Sequence, residues 1–76
     1  MPTLQVIGPI AIRMFGRDHH PPHFHITTRD GAVLVRIDDL TVIRGRIRRR
    51  DLDLALEWAR KKQDFLHHEW NRLNGR

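Results

Sequence analysis

"HFHITTRDGAVLVRID", residues 23–38, decides how the rest of the chain folds. Val33, Val35 and Ile37 recur at every second position, with Leu34 and Arg36 between them, and a period of two is the signature of a strand. Asp30-Gly31, at the centre, is a two-residue turn signal because glycine tolerates positive φ. The stretch therefore predicts a β-hairpin. In its first arm His23, His25 and Thr27 share one face, and Phe24 and Ile26 share the opposite, core-facing side.

The pattern extends both ways. Upstream, Ile10, Ile12 and Met14 alternate with Ala11, Arg13 and Phe15, which predicts another strand. Downstream, Asp38-Asp39-Leu40 reads as a second turn and "TVIRG", 41–45, as a short fourth strand ending at Gly45. From Asp51 to Leu73 the period changes. Leu52, Ala55, Leu56, Ala59, Gln63, Leu66, Trp70 and Leu73 fall on one face of a helix, and Asp53, Glu57, Arg60, Asp64 and His68 fall opposite. The expected architecture is a single α+β domain over residues 1–76: a small antiparallel sheet of three to four strands packed by one long C-terminal helix.

Size and composition narrow the function. A chain of 76 residues buries only about 60% of its unfolded surface, so a partner, a second copy in a homodimer or a ligand is expected to help it. There is no cysteine, which excludes disulfides and thiolate metal sites and suits a reducing compartment. The apolar-leaning stretch Leu4 to Ile12 contains Gln5, Gly8 and Pro9 and is too short for a bilayer. "MPTLQ" lacks the charged start of a signal peptide. These features predict a soluble protein of the bacterial cytoplasm with no membrane contact. The formal charge is +5, and of the 14 basic residues all but Lys61 and Lys62 are arginine. Arginine forks match phosphate and carboxylate, so a polyanion or an acidic protein is the expected partner.

Three segments are candidates for chemistry. "DHHPPHFH", 18–25, holds four of the six histidines. Its two prolines stiffen the approach to the strand. His23 and His25, side by side, would act as an acid–base pair, since imidazole titrates near neutrality. Alternatively His20, His23 and His25 would hold a divalent metal such as zinc, with Asp18 or His19 also within reach of the set. A third reading is a rigid turn whose imidazoles are structural. "RGRIRRR", 44–50, places five arginines before the helix, where free backbone N–H groups also favour anions. Arg46, Arg49 and Arg50 are the candidate phosphate ligands, and with His23 and His25 they would compose a metal-independent ribonuclease needing no cofactor. Finally, Leu54, Trp58 and Phe65 form a second apolar stripe on the helix. One small sheet cannot easily cover both stripes, so Trp58 and Phe65 are expected either at a protein interface or in a wide core face with Trp58 partly shielded by lysine stems. His67 and His68 read as solvated surface.

"IRM" at 12–14, "HHPPHFH" at 19–25, an "LxVIxG" stretch ending at Gly45 and "LALEWA" at 54–59 followed by Trp70 resemble the small bacterial family called domain of unknown function 4160. The resemblance spans nearly the whole chain. His20, Pro21, Pro22, His23, Phe24 and His25 match the family's signature, and Arg48 stands where the family often has proline. It implies a small cognate partner protein encoded by an adjacent gene, in pairs suspected to be toxin–antitoxin modules. It implies no particular chemistry. The expected function is thus the toxin-like or partner-binding half of a two-gene module, with RNA as its target. The competing expectation is a non-enzymatic protein-binding module with a structural or metal-binding histidine turn.

Overall fold

The computed structural model describes residues 3–75. It is an α+β fold with one sheet and one helical layer. Five strands, β1 (Thr3–Ile7), β2 (Ile10–Arg13), β3 (His23–Thr28), β4 (Gly31–Arg36) and β5 (Val42–Gly45), follow one another across the sheet in sequence order, every pair antiparallel. Two helices follow, α1 (Arg49–Lys61) and α2 (Gln63–Asn74). No described helix is long and apolar enough to cross a membrane.

The sheet therefore has more strands than the three to four expected, and the extra one is β1. Its alternation is broken by an irregularity between Thr3 and Gln5, which hides it from a period-two reading. Gly8, at a φ of 55°, makes the reversal into β2. The central hairpin forms as expected, but its turn residues are Arg29 and Asp30, because Thr28 pairs with Gly31. The Thr28 hydroxyl accepts the Asp30 N–H at 3.1 Å. Gly31 is needed for a different reason: a Cβ there would lie 2.7 Å from the Arg46 carbonyl oxygen. The second turn is tied by Asp39, whose carboxylate accepts two hydrogen bonds from Arg36 at 3.0 and 3.1 Å and two from Thr41.

The single long helix is also corrected. The chain breaks at Lys62, whose N–H bonds the Ala59 carbonyl at 2.9 Å in a tightened turn. Gln63 then donates to the carbonyls of Ile37 and Asp38 at 2.8 and 3.1 Å, and His67 lies 3.3 Å from Asp38. These contacts pin the start of α2 to the end of the central hairpin. The expected apolar face survives the break: Ala55, Ala59, Leu66 and Trp70 are buried, and Leu52, Leu56, Gln63 and Leu73 are half-buried. They pack on Ile10, Ile12, Met14, Phe24, Ile26, Val33, Val35 and Ile37. Phe24 faces Val35, and Ile26 lies between Ile12 and Val33, so the centre of this face of the sheet is apolar.

Candidate metal centre

The histidine segment lies where β2 ends and β3 begins, against the C-terminal end of α2. Asn74 closes this corner. Its side-chain carbonyl accepts the Asp18 N–H at 2.7 Å, and its amide donates to the Phe15 carbonyl at 3.0 Å. The His20–Pro21 peptide is cis. The loop folds back so that Asp18 reaches the two histidines at the start of β3.

His23 is not the solvent-facing imidazole that strand alternation predicts. It is only 2% exposed, because the Trp70 ring lies 5.3 Å from it on one side and the 18–21 loop covers another. His25 is half-buried, with Phe15 edge-on at 4.7 Å. The two imidazoles are 5.3 Å apart, so the structure does bring them together. Asp18 completes the group: its Oδ2 lies 3.0 Å from His23 Nε2 and 3.5 Å from His25 Nε2. All three ligand atoms fall within 4.8 Å of one another. His20 lies outside this group, its ring 5.8 Å from Trp70. His19 is exposed and approaches the other carboxylate oxygen of Asp18, at 3.2 Å.

The hydrogen bonding of His23 decides what the group can do. Its Nδ1 lies 2.8 Å from the Pro21 carbonyl oxygen, which can only accept, so Nδ1 carries the proton. In the neutral ring Nε2 is then a lone pair. It is buried and has no hydrogen-bond partner among the described residues, although Asp18 is near. A neutral Nε2 lone pair and a carboxylate oxygen 3.0 Å apart repel unless a proton or a metal ion lies between them. A metal-bound histidine has the same arrangement, one nitrogen donating to a carbonyl and the other on the ion. With bonds of about 2.1 Å, ligand atoms 3.0 and 3.5 Å apart subtend roughly 90° and 110° at a shared ion.

The electrostatics agree. Burial pushes the His25 imidazole down, further than its hydrogen bond to Asp18 raises it, which favours the neutral ring a metal requires. Burial pushes the Asp18 carboxyl up, but the His19 backbone N–H, the charge that His23 carries when protonated and the bond to His25 together bring it below its ordinary value. The carboxylate is therefore ionised.

The arginine run lies elsewhere. Arg46 follows β5 and its N–H bonds the Ala32 carbonyl at 3.2 Å, beside the β3–β4 turn. Arg48 lies 3.8 Å from Asp30 in that turn, and Arg49 pairs with Asp53 at 3.2 Å. Arg48 and Arg50 line an open groove together with Arg29, Asp30 and Asp51. His23 is at the other end of β3, five residues from Thr28 or roughly 17 Å along the strand. The structure thus does not join Arg46, Arg49 and Arg50 to the histidines. Trp58 and Phe65 do meet, edge to face at 6.4 Å across the helix break. Trp58 is half-buried and packs against the core, whereas Phe65 is 40% exposed.

A sequence model of the family described as Domain of unknown function (DUF4160) matches residues 10–71. The chain belongs to this family. No match was found among the curated proteins or among the solved structures. The DUF4160 match begins with β2 and runs into α2. It therefore contains Asp18, His23, His25 and the Trp70 that covers them, and ends before the Asn74 clamp.

Two contributors to the site are not visible in local sequence. Asn74 is 56 residues from Asp18. Arg13 pairs with His25 across β2 and β3, and its Nε is buried without a partner among the described residues. Only the strand register reveals the second.

Proposed function

We propose that this protein is a small binding module organised around a divalent-metal centre, with Asp18, His23 and His25 as ligands. The observation that supports this most is the buried Nε2 of His23, which has no hydrogen-bond partner among the described residues yet lies 3.0 Å from Asp18 Oδ2, in a group whose three ligand atoms all fall within 4.8 Å of one another. Two imidazoles and one carboxylate suit zinc and other first-row ions and leave coordination positions open. The test is elemental analysis of protein purified without a histidine tag, then zinc titration of the metal-free protein. One ion per chain, lost in Asp18→Asn, is expected. A wild-type chain that neither contains metal nor binds zinc overturns the reading.

We further infer that the module works as the partner-binding, toxin-like half of a two-gene system in the bacterial cytoplasm. Its exposed apolar groups favour this: Phe65 and Leu54 on the helices, and Val42 and Ile43 on the edge strand β5. A sheet edge with exposed apolar side chains is a docking surface for a second chain. The net charge of +5 suits an acidic partner. Expression from the native operon should co-purify the neighbouring gene's product; separate elution of the two proteins refutes it.

A further inference from the structure

The metal reading leaves open what the free coordination positions receive. Arg13 and His25 are direct cross-strand partners, so their side chains leave the same face of the sheet with Cβ atoms about 5 Å apart. Arg13 is half-buried, and its Nε is shielded from solvent without an acceptor among the described residues. A buried guanidinium nitrogen lacking an acceptor is costly unless a ligand supplies one. The contrast with Arg36 is instructive. Arg36 is the partner of His23 in the next strand, but its fork is occupied by the two oxygens of Asp39. Of the two arginines paired with the histidines across the sheet, Arg13 is the one left for an incoming anion.

Charge selects the anion. At the centre the ion's two positive charges, the Asp18 carboxylate and the Arg13 guanidinium leave two positive charges uncompensated. A phosphate dianion cancels them and a carboxylate leaves one. Phosphate also offers oxygens for both the guanidinium fork and the metal. On the same face Leu34 separates His25 from Arg44, so a second cation lies two strands away, about 10 Å. It is exposed and placed for whatever chain the phosphate ends.

We infer that the Asp18–His23–His25 centre, with Arg13, binds a phosphate dianion, either free or as the terminal phosphate of a short RNA. The inference rests on the metal reading above.

Calorimetry on the zinc-loaded full chain tests it with three probes: inorganic phosphate, a 5′-phosphorylated single-stranded RNA and the same RNA with a 5′-hydroxyl. Both phosphorylated probes should bind, and removing the 5′-phosphate should cost the RNA tenfold or more. Tighter binding of the phosphorylated RNA than of inorganic phosphate, lost in Arg44→Gln, identifies the RNA end as the source. Equal affinities identify free phosphate. Arg13→Gln should weaken phosphate tenfold or more, the loss of a charged hydrogen bond, while zinc affinity stays within about twofold. Arg13→Lys, which keeps the charge without the fork, should fall between, and guards against a misfolded glutamine variant. Zinc binding without phosphate binding overturns this inference and leaves the metal reading intact. Equal binding of the 5′-hydroxyl RNA, or an Arg13→Gln variant with unchanged phosphate affinity, also overturns it. Failure to bind zinc removes both.

Discussion

The Nε2 of His23 lies 3.0 Å from the Oδ2 of Asp18 while its Nδ1 is committed to the Pro21 carbonyl. The first contact makes Nδ1 a donor and orients the ring, and the second sets Nε2 beside a carboxylate oxygen, where a proton or a metal ion is welcome. The consequences are measurable.

Metal should stabilise the fold. Zinc at about 100 times its dissociation constant adds roughly 2.7 kcal/mol by linkage. For a domain of this length that raises Tm by roughly 10–20 °C. A chelator should reverse the shift, and Asp18→Asn should abolish it. Thermal melts with and without zinc read this directly; an unchanged Tm refutes the assignment.

His23 and Phe24 should both matter for stability, for different reasons. Phe24→Ala empties a core site and should cost about 3–5 kcal/mol in urea unfolding. His23→Ala removes a buried ring and orphans the Pro21 carbonyl, a loss of about 1–3 kcal/mol even without metal. His19→Ala, at an exposed position, should change stability by less than about 0.5 kcal/mol. A His23→Ala variant as stable as wild type contradicts the buried placement.

The turn between β4 and β5 should contribute to acid sensitivity. Arg36 first, then Thr41, hold the Asp39 carboxyl down to about 2. A carboxyl depressed in the folded state stabilises it above the unfolded value, near 3.9, and that contribution disappears as pH falls through about 2. Asp39→Asn should therefore be less stable at neutral pH and lose less stability between pH 4 and pH 2. Denaturant melts across that range check the sign.

The apolar helix surface should separate into core and interface. Phe65→Ala should leave the melting temperature nearly unchanged and weaken association with the partner by about 1 kcal/mol or more. Trp58→Ala should weaken association by about 2 kcal/mol and also lower stability, since the ring packs partly against the core. Titration of the purified partner against both variants distinguishes the two effects; unchanged affinity in both refutes this surface.

Local pattern revealed the layers and missed the joints. The stripe from Leu52 to Leu73 was legible because burial repeats at helical spacing, and every member is at least half-buried. The break at Lys62 was not, because it has no glycine or proline; Gln63 makes it by reaching Ile37 and Asp38, a contact between distant elements. Asp30-Gly31 marked the hairpin correctly and its turn one residue late, since Gly31 serves the passing Arg46 carbonyl instead of the reversal. At the site, the pairing of His23 with His25 is legible in strand alternation, and Asp18 lies within reach of them in the sequence. The burial of His23 depends on Trp70, and the neighbour Arg13 depends on register. Neither has a local signature.

The Asn74 clamp has a consequence for how the protein is made. Strands in a meander pair with their sequence neighbours, so the sheet can assemble hairpin by hairpin as the chain leaves the ribosome. At ordinary rates of synthesis His25 emerges roughly 2–10 s before Asn74. Throughout that interval the 15–18 loop lacks its tether and His23 lacks the Trp70 lid. The nascent chain thus exposes Asp18, His23 and His25, and α2 docks over them last. If these three residues hold a metal, synthesis offers a first chance to load it before the final helix narrows the access.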